Sequence, residues 1–201
     1  MKTSPAKIPT IFLSFGLLLC CLFLTSSGIA QTKYQSTGGV KIIIEGTSNI
    51  HDWDMKSDKG TCAGVFDISN SGSLTGMSVL NFSVPAESLK SEHTSMDNNT
   101  YKALNTKKYS SINFTAASAT VKSDGSGYIL TAKGKLTISG VTKDVVLTAK
   151  GVVNADMSIT YTGSYQLKMT DYNVQPPSIM FGAIKTGNNL VVKFNLLLKS
   201  I

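Results

Sequence analysis

Arginine is missing from this sequence, which limits the partners that the chain can recognise. All 19 cationic side chains are lysine, so the chain lacks the planar fork that holds phosphate or guanine through two hydrogen bonds. The lysines are also scattered along the chain rather than clustered, although the net charge is +7. These features argue against a nucleic-acid-binding protein, and we expect no nucleic-acid partner.

Cysteine is scarce as well. Two of the three cysteines, Cys20 and Cys21, lie in the N-terminal segment, which leaves Cys62 without a partner for a disulfide within the mature chain. We interpret Cys62 as a small buried apolar residue rather than a reactive thiol, because free cysteine behaves as a small apolar side chain when it is buried.

Catalytic motifs are also lacking. The sequence contains no G-x-S-x-G, no glycine-rich phosphate loop and no nucleophile beside a base. Its two histidines form the pairs His51-Asp52 and Glu92-His93, so the rival hypothesis is a metal-dependent enzyme in which two imidazoles and a carboxylate meet. No ligand spacing supports that hypothesis. We therefore predict a protein that is not an enzyme, with no catalytic residue, no metal and no cofactor.

The N-terminus has the pattern of an export signal. Lys2 and Lys7 precede an apolar run over residues 11–24, and the small residues Gly28 and Ala30 stand where a signal peptidase requires them. We predict that residues 1–30 are a cleaved signal peptide and that residues 31–201 form one mature domain. The predicted location is the bacterial periplasm or the exterior of the cell.

Two alternatives compete with the cleaved signal. A lipoprotein anchor at Cys20 or Cys21 is disfavoured because a bulky leucine precedes Cys20 and a second cysteine precedes Cys21, where a small residue is required. A retained membrane anchor is disfavoured because the apolar run is shorter than the ~20 residues that span a bilayer.

Residues 134–151, GKLTISGVTKDVVLTAKG, have the pattern of two strands joined by a tight turn. Apolar and polar residues alternate in both arms, which places one apolar row on each strand. Between the arms, Ser139-Gly140 supplies a residue that adopts positive φ easily. The predicted hairpin therefore has one polar face exposed to solvent and one apolar face that another element must cover.

Similar alternation recurs along the mature chain and predicts about eight long strands at hairpin spacing. We predict two interruptions, a polar loop over residues 46–59 and a short helix capped by Ser95, with a further helical turn over residues 86–93. In that helix, one side carries Met96, Thr100, Tyr101 and Leu104. The fold class is all-β, an antiparallel sandwich or a closed barrel with one helical insertion.

In an eight-stranded barrel the interior holds either side chains or one slender ligand. The inward rows of tyrosine, phenylalanine, methionine and leucine would give a lumen without charge. A hydrocarbon chain that enters such a lumen gains about 0.8 kcal/mol per buried CH₂ before ordering costs. The alternative is that these side chains simply fill the barrel.

The hairpin also carries a resemblance. Gly134 to Lys143 is similar to the signature G-x-L-T-x-x-G-V-T-K of the YceI-like family, secreted bacterial proteins regarded as lipid and polyisoprenoid binders. Lys108-Tyr109 before Ile112-x-Phe114, and Asn49-Ile50-His51-Asp52-Trp53, also resemble that family. The resemblance covers roughly residues 39–200. The sequence departs from the family at Ser110, where many members have proline, at Met96 to Asn99, where an Arg-Asp pair is common, and at Asp171 to Val174.

The resemblance implies a lipocalin-like eight-stranded antiparallel β-barrel that holds an isoprenoid or other lipid chain for transport or storage, with transient contact to a membrane. On this basis we predict a set of lipid-binding residues in the lumen and at its mouth: Phe82, Tyr101, Leu104, Phe114, Leu136, Ile138, Leu147, Ile159, Tyr161, Tyr165, Leu167, Phe181, Val192 and Phe194. A phosphate head group would meet lysines among Lys56, Lys59, Lys90, Lys102, Lys107 and Lys108.

We predict that the ligand enters between the helix near Tyr101 and Leu104 and the loop over residues 176–184. That loop contains three consecutive large apolar residues, Ile179 to Phe181, which is unusual for a loop and suggests something apolar to cover. The alternative is that these residues plug the barrel floor. A periplasmic stress-response or interaction protein with a filled core is the remaining alternative function.

Overall fold

The computed structural model describes residues 30–38, 40–69 and 71–201. Apart from Ala30, the predicted signal peptide lies outside the described residues. No helix within these ranges is both long enough and apolar enough to cross a membrane. The strands and the helix are, in order, β1 (Ala30–Ser36), β2 (Val40–Ser48), β3 (Trp53–Ile68), β4 (Leu74–Pro85), α1 (Thr94–Leu104), β5 (Ser111–Asp124), β6 (Gly127–Ile138), β7 (Val141–Val153), β8 (Ile159–Lys168), β9 (Ser178–Ile179) and β10 (Ile184–Ser200).

Eight strands close into an antiparallel barrel. Each of β2 to β7 pairs with the next strand along the chain, and β10 closes the ring by pairing with both β8 and β2. β1 pairs with both β10 and β3, so it lies between them as β2 does further along. The short β9 pairs with the start of β10. The predicted all-β fold is confirmed as the closed barrel, and the sandwich alternative is wrong.

The predicted hairpin over residues 134–151 is present as β6 and β7. Its register places Ile138 opposite Val141, so the turn is Ser139-Gly140 alone. Both turn residues have positive φ, 49° and 78°, the sign at both central positions that a type I′ turn requires. The ring of Tyr109 covers Gly140 so closely that a Cβ there would lie 2.5 Å from Cε1 of the ring. The turn therefore needs glycine for both its backbone and its packing.

The polar loop predicted over residues 46–59 is wrong. β2 runs on to Ser48 and β3 already begins at Trp53, so only residues 49–52 connect them. Met55 and Ser57 are buried and point inward, while the intervening Lys56 is exposed. The prediction was wrong because a serine at an inward position breaks the apolar alternation by which a strand is recognised. In the structure the Ser57 hydroxyl is hydrogen-bonded with Ser88 Oγ at 2.7 Å, so it can be buried.

The helical insertion is present, but its predicted cap is wrong. α1 starts at Thr94 with His93 at the capping position, and no side chain caps it. A single turn of 3₁₀ helix at Ala86–Ser88 supplies the further helical turn that was predicted before it. At the other end of α1 Asn105 adopts the left-handed conformation, as is common after a helix. Ser139 Oγ donates to the Leu104 carbonyl at 3.0 Å, which joins α1 to the β6–β7 turn.

The two ends of the barrel differ. At the open end lie the connections 49–52, 86–110, 139–140 and 169–183. At the closed end three buried aromatic rings fill the interior. Phe66 stacks on Tyr161 with ring centres 5.8 Å apart, and Tyr34 meets Phe66 edge-on at 5.5 Å. The Tyr34 hydroxyl donates to the Met157 carbonyl at 3.1 Å, which fixes its ring in place.

Candidate functional site

A cavity of about 440 Å³ occupies the barrel from the ring cluster of the closed end to the connections of the open end. All eight barrel strands contribute inward side chains to its wall, and α1 covers part of its open end. The helix face toward the cavity consists of Met96, Asn99, Thr100, Ala103 and Leu104, which follow the three-to-four spacing of one helical face. The barrel interior is therefore not filled by its own side chains.

Most of the predicted lipid-binding residues line this cavity. They are Phe82, Leu104, Phe114, Leu136, Ile138, Leu147, Tyr161, Tyr165, Leu167, Val192 and Phe194. Leu104 lies on α1. The place of the others on the cavity wall follows from the period of two, since the barrel makes one parity of every strand face inward. That these side chains contact a lipid stays a prediction.

Tyr101 does not line the cavity. Its hydroxyl donates to the carbonyl oxygens of Glu87 at 2.9 Å and Leu89 at 2.8 Å, and Lys90 Nζ lies 4.9 Å from its ring centre. These contacts hold the ring against the segment before α1. The predicted helix face was therefore too wide, since Tyr101 lies outside the face that carries Thr100 and Leu104.

Ile159 and Phe181 also lie outside the cavity wall. Ile159 is fully buried and pairs with Leu198 at the closed end, so it belongs to the packed core below the cavity. Phe181 is fully exposed at the open end, in a turn where Met180 and Phe181 both adopt positive φ. Phe181 therefore neither lines the cavity nor plugs the floor.

The mouth is marked by the cavity-lining residues that solvent also reaches. These are Ile50, His51, His93, Ser95 and Ile179. They place the mouth between the connection 49–52, the start of α1 and the segment 177–184. The predicted loop over residues 176–184 is thus part of the mouth, whereas the helix contributes its first turn rather than the region of Tyr101 and Leu104.

No aspartate, glutamate or lysine lines the cavity. The uncharged polar side chains of the wall that come from the open-end region are Ser48, Ser95, Asn99, Thr100 and Thr186. Thr100 Oγ1 lies 3.3 Å from Met55 Sδ, so even this hydroxyl has only a weak acceptor. The wall therefore suits a molecule with a long apolar part and a polar group near the mouth.

Burial raises the pKa of the buried titratable side chains of the wall, so their neutral forms, already favoured at pH 7, are favoured further. Cys62 is buried, as predicted, and burial raises the pKa of its thiol to about 12. Burial is also the main cause that raises the pKa of Tyr172 to about 12, and it raises the pKa of Tyr161 as well. The Tyr161 hydroxyl finds no hydrogen-bond partner among the described residues. The deep wall therefore carries no charge at neutral pH.

Four inward aromatic rings lie on glycines of a neighbouring strand. A Cβ at Gly163 would lie 2.5 Å from Cζ of Phe194, and a Cβ at Gly151 would lie 2.6 Å from Cε1 of Tyr161. Each ring thus occupies wall space that a side chain would otherwise fill. Sequence reasoning missed these pairs, which become visible only once the strand register is known. The pairs are Trp53 on Gly46, Phe114 on Gly134, Tyr161 on Gly151 and Phe194 on Gly163.

The histidines of the rival metal hypothesis lie at the mouth. His51 Nδ1 is 2.7 Å from the carbonyl oxygen of Asp52, and the side chains of His51 and His93 are both exposed. Across residues 30–38, 40–69 and 71–201, no three His, Cys, Asp or Glu side chains stand close enough to hold a metal ion. The described chain thus offers no ligand set for that chemistry.

None of the lysines predicted to meet a head group lines the cavity. Three of them form salt bridges, Lys56 with Asp54 at 2.8 Å, Lys59 with Asp58 at 3.2 Å and Lys90 with Asp97 at 3.6 Å. A contact between these lysines and a phosphate stays a prediction.

Comparison with known proteins identifies the fold. The model of the YceI-like domain matches residues 31–198, and no curated protein sequence matches the chain. A solved polyisoprenoid binding domain from Saccharophagus degradans, implicated in plant cell wall breakdown, superposes with a TM-score of 0.62 at 13% identity, over 87% of this chain and 100% of that one. BcnA from Burkholderia cenocepacia gives a TM-score of 0.62 at 17% identity, over 79% and 95%. At these identities the two structures show a shared fold.

Proposed function

Because the chain belongs to the YceI-like family, we propose that it holds one long isoprenoid or acyl chain in the lumen of its barrel. The observation that carries this proposal is the cavity, which runs between all eight strands and has no charged carboxylate or lysine in its wall. The shared fold of a domain described as polyisoprenoid binding supports it. An unfilled lumen also favours ligand binding over the alternative of an interaction protein with a filled core.

The ligand lies with its apolar tail toward the ring cluster and its polar end at the mouth. Each buried CH₂ contributes about 0.8 kcal/mol, and this gain must exceed the cost of ordering the chain. Burying an unpaired polar head deep in the wall would cost free energy, whereas the hydroxyl and amide groups near the mouth can pair with it. The preferred ligand is therefore an amphiphile with a long slender tail.

The proposed role is carriage or storage of such a lipid outside the cytoplasm, without catalysis. The signal-like N-terminus supports the periplasm or the cell exterior, which N-terminal sequencing of the exported protein checks by finding Gln31 first. A lipid-modified Cys20 or Cys21 would instead show an anchored protein. A carrier of a poorly soluble chain also meets a membrane transiently when it loads or unloads.

The test combines mass spectrometry of co-purified lipid with uptake of a fluorescent isoprenoid analogue. Ala149→Trp adds a large side chain to the half-buried wall between Leu130 and Gly163, its cross-strand partners, and should lower the bound analogue at least tenfold. Substitution at Gly163 is a poorer choice, because a Cβ there would meet the ring of Phe194 and the Thr148 carbonyl oxygen.

Lys150→Trp is the matched control, because it adds the same side chain to the exposed face of the same strand. It should leave both uptake and the circular dichroism spectrum unchanged. If the wild-type protein carries no lipid and takes up no analogue at micromolar concentration, the binding proposal fails. Equal uptake by both tryptophan variants would mean that the ligand binds elsewhere than in the lumen.

A further inference from the structure

Four large apolar side chains stand in solvent beside the mouth. Ile50 is 59% exposed, Ile179 38%, Met180 68% and Phe181 114%. Ile50 and Ile179 also line the cavity, so the exposed group is continuous with the cavity wall. We call these four residues the apolar tip. Large apolar side chains that cluster in solvent mark a surface that contacts an apolar partner.

The apolar tip is built on ordered structure. Asn49 joins its two parts, because its side-chain amide donates to the Ala183 carbonyl at 2.8 Å while its Oδ1 accepts from the Lys185 N–H at 2.8 Å. Asn49 N–H also donates to the Lys185 carbonyl at 3.1 Å. Met180 and Phe181 adopt positive φ, 51° and 53°, which non-glycine residues rarely do. The fold thus holds these two side chains outside the lumen.

The segment that carries most of the apolar tip has little charge of its own. The segment 174–186 contains no aspartate or glutamate, and its one charged residue is the exposed Lys185. Asp52 is the single carboxylate of the connection 49–52. The tip can therefore enter an interface without desolvating a carboxylate of its own segment, which would cost free energy. Lys185 can remain among head groups, as long lysine side chains do at such boundaries.

We propose that the apolar tip docks the mouth of the barrel onto a lipid bilayer. The lipid then moves between bilayer and lumen along a continuous apolar surface, without crossing water. The inference rests on the proposed lipid ligand, since a protein that exchanges lipid must meet the phase in which lipid resides. A second copy of this chain is a less suitable occupant, because it would cover the mouth that the ligand uses.

The test measures flotation of the full mature chain with vesicles of phosphatidylethanolamine and phosphatidylglycerol. Phe181→Ser removes the most exposed ring and should weaken association about tenfold or more, as expected for the loss of one buried aromatic side chain. Val146→Ser is the matched control, since Val146 is 53% exposed on the outer face of β7, away from the open end. It should float like the wild type. If Phe181→Ser does not fold, Met180→Ser replaces it.

A second measurement separates docking from ligand binding. Transfer of the fluorescent isoprenoid analogue from vesicles should slow in Phe181→Ser, whereas the amount bound from a solution of the analogue should not change. Wild-type protein that floats but binds no analogue from solution would refute the lipid ligand and leave the docking surface. Equal flotation of wild type and Phe181→Ser, or no flotation of either, overturns the docking surface. So does a concentration-dependent dimer that Phe181→Ser abolishes without any flotation.

Discussion

At the scale of single residues, the open lumen depends on positions that have no side chain. Phe194 can lie flat against the wall because Gly163, its cross-strand partner, leaves room for the ring. A Cβ at position 163 would meet Cζ of Phe194 at 2.5 Å and the backbone oxygen of Thr148 at 2.8 Å. The ring is free to move, whereas the backbone is not. A methyl group at this site should therefore push the ring toward the cavity.

We expect Gly163→Ala to lower the free energy of unfolding by about 1–3 kcal/mol, the usual cost of overpacking, and to reduce lipid uptake. Adding Phe194→Leu should recover part of both losses, because the smaller side chain makes room for the methyl group. Chemical denaturation and analogue uptake of the single and double variants measure this coupling.

Thr162→Ala, on the exposed neighbouring position, serves as the control and should change neither quantity. Strictly additive effects of Gly163→Ala and Phe194→Leu would contradict the proposed contact, since residues in contact show an interaction energy of about 0.5–3 kcal/mol.

Which side chains face the cavity was largely predictable from the sequence, and the wrong predictions have physical causes. The alternation of β8 and β10 placed Tyr161, Tyr165 and Phe194 correctly, since the period of two survives any curvature of the sheet. Tyr101 was misplaced because its hydroxyl is held by backbone carbonyls outside the helix, which helical spacing does not encode. Phe181 was misplaced because its turn faces solvent.

At the scale of elements, the position of α1 depends on the buried carboxylate of Asp97. It accepts hydrogen bonds from Ser91 N–H at 2.7 Å and Ser91 Oγ at 2.8 Å, and Lys90 Nζ lies 3.6 Å away. Burial alone would raise the pKa of Asp97, but the hydrogen bonds from Ser91 and the charge of Lys90 outweigh it and lower the pKa. The ionised carboxylate thus fastens the first turn of α1 to the chain before it.

We expect Asp97→Ala to lower the free energy of unfolding by about 1–2 kcal/mol at pH 7, because the half-buried Ser91 N–H loses its acceptor. A lowered pKa in the folded state means that this contribution is complete above the unfolded pKa of about 4 and is lost as pH falls through the folded pKa. The difference between wild type and Asp97→Ala should therefore shrink below pH 4, which urea denaturation at several pH values measures.

The control is Ser95→Ala, which removes the hydroxyl that the sequence pattern assigned to the helix cap. No side chain caps α1, so this variant should be nearly as stable as the wild type at every pH. A loss at position 95 as large as that at position 97 would show that the cap lies at Ser95 after all.

Elements were predictable where inward residues are apolar and turns have a distinctive sequence. The β6–β7 hairpin satisfies both conditions, since its alternation is clear and Ser139-Gly140 fixes its turn. The β2–β3 hairpin satisfies neither, because Ser57 faces inward and the connection 49–52 carries no glycine. β1 was not predicted because it is short and because its pairing partners, β3 and β10, are distant in the sequence.

At the scale of the whole molecule, an occupied lumen should make unfolding harder, because the unfolded chain has no cavity to hold the ligand. An isoprenoid analogue present at about 100 times its Kd adds about 2.7 kcal/mol of stability. For a domain of this size, each kcal/mol corresponds to roughly 2–4 °C, so the Tm should rise by about 5–10 °C.

Differential scanning calorimetry of lipid-free protein with and without the analogue measures this shift. Ala149→Trp, whose lumen is obstructed, should show little or no rise under the same conditions. A similar rise in that variant would indicate surface binding rather than occupancy of the cavity. Trp53, the only tryptophan of the chain, lines the cavity and offers an independent fluorescence signal of ligand entry.

The ring cluster of Tyr34, Phe66 and Tyr161 makes the described barrel a blind tube. A chain that enters tail first can leave only by reversing along the same path, so its polar end is always the last part in and the first part out. Donor and acceptor must therefore take turns at one face and cannot pass lipid through the protein. If the lumen carries lipid as proposed, net transfer then has no direction of its own and follows the difference in chemical potential of the lipid between donor and acceptor.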